Sequence, residues 1–191
     1  MLTLGVISDT HIPDRARRLR PDILTTFREA GVAAILHAGD VSIPSVLKKL
    51  STLAPVYAVR GNRDVFLLRR LPHSLCLEFE GVQIALSHGH GFWWNYLYEK
   101  TLYLLGGYDP QRYQKRLLAE FPTARVIVFG HTHRSVNQWV GDQLLFNPGS
   151  PHFPDTHEIA PSLGLLHIRA GGEVQGEIIT LGQATGSTFS A

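Results

Sequence analysis

Residues 126–133 read Val126-Ile127-Val128-Phe129-Gly130-His131-Thr132-His133, an apolar run that stops at a glycine and leads straight into two histidines. Such apolar runs are typical of buried strands. Glycine lets the backbone turn sharply where a side chain would obstruct it, and neutral imidazole is the commonest metal ligand in proteins. His131 and His133 are therefore either metal ligands at a strand end or solvated residues of a polar loop. The ends of the other strands decide between these interpretations.

The first half of the chain alternates strand-like and helical patterns. Residues 2–7, 32–38 and 55–59 are apolar runs, while Asp22–Ala30 and Ser42–Leu50 carry apolar residues at helical spacing. Strand and helix alternating with short connections is typical of parallel βαβ units. We therefore predict a sheet of parallel strands here.

The second half reads as hairpins and two more helices. Each hairpin has a short turn that contains glycine, the usual signal of antiparallel pairing. Parallel units followed by hairpins predict two mixed sheets flanked by helices, an α/β (α+β) fold. The predicted strand pairs are 74–79 with 82–87, 136–140 with 144–146, and 163–169 with 173–180, and the predicted helices are Phe92–Leu105 and Pro110–Glu120.

Composition restricts the class of protein. The chain has 191 residues, of which 44% are hydrophobic and 18% charged, so it has material for a large core and too few charges for a disordered chain. Its formal charge of +2 is too small to argue for nucleic-acid binding. A single cysteine excludes an intramolecular disulfide and a Cys-rich zinc site, and it fits a reducing compartment.

The chain shows no sign of targeting or subdivision. The N-terminus lacks the charged and apolar regions of a signal peptide, and no run approaches a membrane span. We therefore expect a cytoplasmic protein with no membrane partner. Without repeats, linkers or low-complexity blocks, residues 1–191 are predicted to form one domain, in which 181–191 are a flexible tail.

Seven side chains that can bind metals follow five of the predicted strands. Ligands bind outside the carboxyl ends of strands in sheets of this kind, so we predict a metal site rather than solvated loops. Oxygen and imidazole ligands without thiolate suit Mn, Fe, Zn, Ni or Mg, and seven ligands are about right for two ions that share a carboxylate. The seven residues are Asp9, His11, Asp40, Asn62, His88, His131 and His133.

The motifs around these residues resemble the five signature blocks of the calcineurin-like metallophosphoesterases, and they occur in the family's order. The blocks are Asp9-x-His11, Gly39-Asp40, Gly61-Asn62-x-Asp64, His88 and Gly130-His131-x-His133. The short chain and its Asn147-Pro148-Gly149-Ser150 segment resemble the compact YfcE-type phosphodiesterases. The resemblance implies a four-layer αββα sandwich.

The resemblance also implies the roles of the residues. Asp9, His11 and His133 would hold a first divalent ion, Asn62, His88 and His131 a second, and Asp40 would bridge both. Asp64 would stand behind the ligands and orient one of them. A hydroxide held between the ions would attack phosphorus in line. Manganese is the favoured metal, with Ni, Fe, Zn and Mg as alternatives, and a small phosphodiester is the expected substrate.

One residue departs from the family pattern. Many members have a histidine after the asparagine, assigned to protonating the leaving group, whereas this chain has Arg63. Arginine is no general acid at neutral pH, although its planar fork can hold a phosphate oxygen. We therefore predict a preference for stable leaving groups, such as those of aryl diesters, unless Arg63 is a surface residue away from the substrate. The predicted catalytic residues are Asp40, Asn62, Arg63, Asp64 and His90, the last as a candidate acid.

Two other functions remain open at this point. The same site could serve a phosphomonoesterase or a protein phosphatase. A non-catalytic scaffold like the retromer subunit Vps29 is the other alternative, although every predicted ligand position here holds a metal-binding residue. No specific nucleic-acid partner is predicted. The aromatic segment from Phe92 to Tyr103 either packs in the core or forms a subunit interface, which would fit a homodimer or a larger homo-oligomer.

Overall fold

The computed structural model describes residues 1–89, 110–152 and 159–182. Within these ranges ten strands form two five-stranded sheets, and three helices lie beside them. The elements are β1 (Leu2–Ile7), α1 (Pro21–Glu29), β2 (Ala34–His37), α2 (Pro44–Leu50), β3 (Val56–Ala58), β4 (Ser74–Phe79), β5 (Val82–Ser87), α3 (Pro110–Glu120), β6 (Val126–Val128), β7 (Val136–Val140), β8 (Gln143–Asn147), β9 (Ser162–Ile168) and β10 (Val174–Thr180).

The first sheet has the strand order β10-β9-β1-β2-β3. Strands β1, β2 and β3 are parallel, with Leu4 opposite Ala34 and Ile35 opposite Val56. Helices α1 and α2 make the crossovers, as the alternation of patterns predicted. Strands β1 and β2 are buried along nearly their whole length, which explains why their sequences read as continuous apolar runs.

The second sheet has the strand order β4-β5-β6-β8-β7, in which β5, β6 and β8 are parallel. The hairpins β4–β5 and β7–β8 form as predicted. The third predicted hairpin, β9–β10, belongs instead to the first sheet, where β9 pairs antiparallel with β1. Five successive residues from Ser162 to Leu166 are buried, so β9 fits a position inside a sheet, with covered faces.

Four layers result from how the two sheets bury their faces. Leu36 of the first sheet and Val128 and Phe146 of the second belong to one core between the sheets. Phe27 of α1 lies in a second core on the outer face of the first sheet, and Leu117 of α3 in a third on the outer face of the second. The predicted αββα sandwich is therefore confirmed.

Differences from the predicted element bounds have local causes. Helix α2 begins at Pro44 rather than Ser42, because Ser42 has a φ of 74°, which a right-handed helix excludes. The chain remains ordered beyond the predicted start of the tail, since Leu181 is buried and its N–H donates to the Pro161 carbonyl. The predicted helix 92–105 and residues 183–191 lie outside the described ranges.

In residues 1–89, 110–152 and 159–182 we find no helix that is both long and apolar enough to cross a membrane. The parallel strands β1, β2 and β3 and the parallel strands β5, β6 and β8 run into loops that contact one another. Hydrogen bonds join these loops within and between the sheets. The Gly130 N–H donates to the His88 carbonyl beside it in the second sheet, and the His131 N–H donates across the sandwich to Asp9 Oδ2. This shared edge carries the predicted ligands.

Candidate metal centre

Backbone hydrogen bonds hold the loops that carry the predicted ligands. The Asp9 N–H donates to the Gly39 carbonyl at 3.0 Å, and the His11 N–H donates to the Asp40 carbonyl at 3.1 Å. The loops after β1 and β2 are thus tied at two points. Each ligand is positioned by a neighbouring loop as well as by its own strand.

Most of the predicted ligands have a backbone conformation that is unusual for residues with side chains. In the described part of the chain, seven non-glycine residues have positive φ, and five of these are predicted ligands. Positive φ in such residues costs about 1–3 kcal/mol each and tends to occur at functional sites. The five are Asp9 (53°), His11 (45°), Asp40 (53°), His131 (71°) and His133 (55°).

Glycines next to the ligands leave room that a side chain would fill. A Cβ on Gly61 would lie 2.1 Å from Asp40 Oδ1, and a Cβ on Gly39 would lie 2.7 Å from His88 Nδ1. Both distances are shorter than real Cβ contacts. The glycines of the Gly39-Asp40 and Gly61-Asn62 motifs therefore allow the loops to pack at ligand distance.

A first cluster consists of Asp9, His11 and His133. The Nε2 atoms of the two histidines are 3.1 Å apart, and Asp9 Oδ1 lies 3.7 Å from His11 Nε2 and 3.3 Å from His133 Nε2. Asp9 Oδ2 accepts the His131 N–H at 3.0 Å, whereas the buried Oδ1 has no hydrogen-bond partner. Three ligand atoms this close together, one of them an orphaned carboxylate oxygen, fit a metal ion.

A second cluster consists of Asn62, His88 and His131. Asn62 Oδ1 lies 3.1 Å from His88 Nε2 and 3.1 Å from His131 Nδ1. His88 Nδ1 lies 2.7 Å from the Ala38 carbonyl, to which it can only donate a hydrogen bond. That bond turns Nε2 toward the site, which is how histidine ligands are usually oriented.

Asp40 stands between the clusters. Its Oδ2 lies 3.7 Å from His11 Nε2 and 3.5 Å from His88 Nε2, while its Oδ1 accepts the Arg63 N–H at 2.8 Å. Asp40 also groups with Asp9 and His88 as possible ligands of one ion. One carboxylate oxygen therefore faces the histidines of both clusters, and the histidines at 131 and 133 belong to different clusters.

The charges of the site are strongly coupled. Burial raises the pKa of the Asp9 carboxyl, but the imidazoles of His11 and His133 outweigh burial and hold that pKa well below its usual value. Burial likewise raises the pKa of Asp40, and the charge of His88 and its hydrogen bond lower it further than burial raises it. Burial lowers the pKa of His88, but Asp40 raises it to about 9. A bound metal would displace the His88 proton, because only neutral imidazole is a ligand.

Asp64 is fully buried and braces the backbone of two loops. Its Oδ2 accepts the N–H groups of Gly61 at 2.9 Å and Val41 at 3.3 Å, and its Oδ1 accepts the Ser42 N–H at 2.7 Å. The family resemblance implies that Asp64 stands behind the ligands and orients a ligand or a partner histidine. The structure places its carboxylate against the backbone N–H groups that follow Asp40 and the one that precedes Asn62.

Of the two residues considered for leaving-group chemistry, Arg63 does not contribute its side chain to the clusters. The Arg63 guanidinium lies 3.3 Å from the Asp14 carboxylate, and both side chains are about half exposed. The backbone of Arg63 contacts Asp40, but its side chain lies at the surface of the described structure. His90 lies outside the described ranges.

Sequence reasoning missed the polar residues that brace the ligand loops. Asn147, at the end of β8, donates from Nδ2 to the Gly130 carbonyl at 2.9 Å, and Ser150 Oγ donates to the Asp9 carbonyl at 2.9 Å. Ser8 Oγ donates to the Gly149 carbonyl at 2.7 Å. Asn147 follows the strand-end rule that found the ligands. Ser8 directly follows β1, and Ser150 belongs to the Asn147-Pro148-Gly149-Ser150 segment, but neither position indicated which carbonyl its hydroxyl would bond.

Two further histidines are buried beside the site. His37 Nε2 lies 3.3 Å from Thr10 Oγ1, and burial lowers the pKa of His37 to about 4. Burial and the charge of Arg20 lower the pKa of His152 to about 4. Both imidazoles are therefore neutral at pH 7, and His37 packs at the end of β2.

Comparison with known proteins decides the family. The model of the calcineurin-like phosphoesterase superfamily domain matches residues 2–171. The chain belongs to this superfamily. This phosphoesterase chain is 38% identical over 181 residues to a probable metallophosphoesterase of Methanothermobacter thermautotrophicus, covering 95% of this chain and 94% of the relative. It is 25% identical to a phosphodiesterase of Methanocaldococcus jannaschii over 164 residues, which cover 78% of this chain and 83% of the relative.

Solved structures share the fold of this phosphoesterase. The crystal structure of Vps29 from Entamoeba histolytica in complex with Zn²⁺ matches with a TM-score of 0.69, covering 94% of this chain and 99% of that one. At 22% identity the likeness shows the fold alone. Membership of the superfamily indicates a metal-dependent hydrolase of phosphoric esters, and the two clusters supply residue groups that can hold the metal.

Proposed function

We propose that this protein is a phosphodiesterase that uses two divalent metal ions. The observation that carries the proposal is the position of Asp40 Oδ2, which faces the histidines of both clusters at 3.7 and 3.5 Å. A carboxylate in this position suits a bridging ligand between neighbouring ions. The phosphodiesterase relative from M. jannaschii supports the diester as the substrate class.

The residues divide between the two ions as follows. Asp9, His11 and His133 would hold one ion, Asn62, His88 and His131 would hold the other, and Asp40 would be shared by both. When bound, the ions would supply Lewis acidity that activates water and neutralises charge on the phosphoryl oxygens. Manganese is the proposed metal, because oxygen and imidazole ligands without thiolate suit it.

The protein itself contributes position and hydrogen bonding. The His88 bond to the Ala38 carbonyl fixes the tautomer in which Nε2, beside Asn62 and Asp40, could act as a metal ligand. The Arg63 N–H holds Asp40 Oδ1, so that Oδ2 faces the clusters. Asp64 fixes the backbone of the loops on both sides of this carboxylate. These contacts preorganise the site before substrate arrives.

The proton for the leaving group limits the choice of substrate. Arg63 is too basic to donate one, and its side chain is paired with Asp14 at the surface. The described residues of the clusters are ligands and are therefore unavailable as acids. The enzyme should then hydrolyse diesters whose leaving group departs without a proton, such as aryl diesters.

The test is a hydrolysis panel on protein stripped of metal and reloaded with Mn²⁺. Bis(p-nitrophenyl) phosphate, p-nitrophenyl phosphate and a simple dialkyl phosphate are compared at saturating metal. We expect the aryl diester to be turned over fastest and the metal-free protein to be inactive. A faster rate on the monoester would favour a phosphomonoesterase, and inactivity of metal-loaded protein on every ester would favour a scaffold.

A further inference from the structure

Three successive apolar side chains protrude from the turn between β3 and β4. Val65 is 49% exposed, Phe66 85% and Leu67 66%. A run of three exposed apolar residues is unfavourable in a soluble surface unless it has a function. We call Val65–Leu67 the apolar tip.

The apolar tip is held outward by buried residues on both sides. Asp64 precedes it with a fully buried carboxylate that accepts three backbone hydrogen bonds. Leu68 follows it, is 8% exposed and lies in the core beside α1 and α2. The Leu71 N–H then closes the turn on the Leu68 carbonyl at 3.0 Å. The tip therefore protrudes from a turn that Asp64 and Leu68 fix to the core, and Val65, Phe66 and Leu67 are not needed to hold it there.

The surface around the apolar tip is cationic. Residues 60–73 contain four arginines and one acidic residue, Asp64, so the turn has a net positive charge. The ion pair between Arg63 and Asp14 brings the turn beside the segment that follows Asp14, which carries two more exposed arginines. The exposed arginines of the two segments are Arg17, Arg18, Arg63, Arg69 and Arg70.

We propose that the apolar tip docks on the surface of an anionic lipid bilayer. Phe66 and Leu67 would enter the interface while the arginines face the headgroups, a combination of apolar burial and charge that binds peripheral proteins. The sequence predicted no membrane partner because it has no spanning run, but docking through a protruding turn requires none.

Other occupants fit these observations less well. In a two-fold dimer through the tip, each arginine cluster would face its own copy, and like charges would repel. Single-stranded nucleic acid would stack its bases on aromatic side chains, whereas two of the three tip residues are aliphatic. A protein partner would need to offer a pocket for the tip, while a fluid bilayer accepts it directly.

Docking would place the metal centre at the membrane surface. Asn62, a proposed ligand, lies three residues before the tip, and Asp64 joins the tip's turn to the loop of Asp40. The inference goes beyond the proposed function and does not depend on it. A soluble aryl diester measures hydrolysis separately from docking.

The experiment is co-sedimentation of the full chain with vesicles. Phosphatidylcholine vesicles with about one quarter phosphatidylglycerol are compared with pure phosphatidylcholine at low salt. We expect binding to the anionic vesicles only, and a roughly tenfold weaker affinity for the double variant Phe66→Ser/Leu67→Ser. Arg69→Gln/Arg70→Gln should weaken binding as well and reduce its salt dependence. Trp139→Ser, which alters a 42% exposed aromatic residue on β7, should bind normally.

The Phe66→Ser/Leu67→Ser and Arg69→Gln/Arg70→Gln variants should keep their melting temperature, and these variants and the Trp139 control should keep their activity on the soluble diester. Equal binding of wild type and the tip variant, equal binding to neutral vesicles, or absence of binding would overturn the proposal. A dimer in solution that dissociates in the tip variant would assign the tip to a second copy instead. Binding of single-stranded oligonucleotide that is lost in the tip variant would assign it to nucleic acid.

Discussion

The glycines at the ligand edge of the sandwich differ from those in its hairpin turns. A Cβ at Gly39, Gly61 or Gly130 would collide with a ligand or with the backbone of a neighbouring loop. A Cβ at Gly81 or Gly141 would meet nothing within 4 Å. The turn glycines are needed only because the backbone there has a left-handed conformation. The glycines at the ligand edge also allow loops from both sheets to approach to ligand distance.

The difference shows that backbone conformation is more tightly constrained at the ligand edge than at the opposite edge. At the ligand edge, strained backbone, crowded glycines and hydrogen bonds between loops occur together. At the opposite edge, the turns are open and tolerate change. Substitutions of the same type should therefore have unequal effects at the two ends.

The largest effect is expected for Asp40→Asn. An amide keeps the shape but removes the charge that faces both clusters, so hydrolysis of the aryl diester should fall roughly 1,000-fold. Steady-state kinetics with Mn²⁺ measures this change. The matched control is Asp142→Asn, which alters a fully exposed carboxylate and should leave the rate unchanged. Near-normal turnover in Asp40→Asn would remove Asp40 from the mechanism.

The glycine comparison is tested most directly by Gly61→Ala against Gly81→Ala. The added methyl at 61 would meet Asp40 Oδ1 at 2.1 Å. The Asp40 carboxylate would have to move, and this displacement should lower turnover about 100-fold. Gly81→Ala meets no atom but keeps a φ of +76°, so it should cost about 1–2 kcal/mol of stability and no activity. Urea unfolding and kinetics separate the two effects. Similar loss of activity in both variants would contradict the comparison.

A gain is expected for Arg63→His. The imidazole would stand where many superfamily members carry the leaving-group acid, so turnover of a dialkyl phosphate should rise by about tenfold, below the full contribution of a positioned acid. Turnover of the aryl diester should change little, since its leaving group needs no proton. Arg63→Gln is the control that removes the charge without adding an acid. An equal gain in both variants would show that the arginine side chain itself obstructs the substrate.

The smallest effect on turnover is expected for Asn147→Ala. It removes the hydrogen bond of 2.9 Å from Asn147 Nδ2 to the Gly130 carbonyl, which braces the loop of His131. It also removes the bond of 2.9 Å that the Gly149 N–H donates to Asn147 Oδ1. Loss of buried partners should destabilise the fold by about 2 kcal/mol and lower turnover roughly threefold. Asn137→Ala, which removes an exposed Asn side chain of the edge strand β7 that bonds the Gly176 carbonyl, should have smaller effects on both. Unchanged stability in Asn147→Ala would mean that the loop needs no brace.

Local sequence patterns predicted all ten strands of the described structure and identified the ligand candidates. The runs before Asp9, Asp40 and His131 have strand character, and parallel strands collect such residues at one edge. Turn glycines likewise identified the hairpins. These features depend on residues close together in the chain, and for this reason they could be predicted from the sequence.

Features that depend on distant residues were not predicted. The hydrogen bond from Ser150 to the Asp9 carbonyl joins positions 141 residues apart. The pairing of β9 with β1 places a late hairpin in the first sheet, and no local pattern distinguishes that from the second sheet. The exposure of Phe66 was not predicted either, because the sequence of a turn does not show whether an apolar residue in it is buried or protrudes.

We propose that Asp40 joins two ion sites in one centre. Metal analysis of the purified chain, stripped and then equilibrated with excess Mn²⁺ and desalted, is the most direct test of this proposal. We expect two ions per wild-type chain and a loss of tightly bound metal in Asp40→Asn, with the electron paramagnetic resonance signal of two coupled Mn²⁺ ions in the wild type. One ion per chain, or two uncoupled ions that persist in Asp40→Asn, would contradict it.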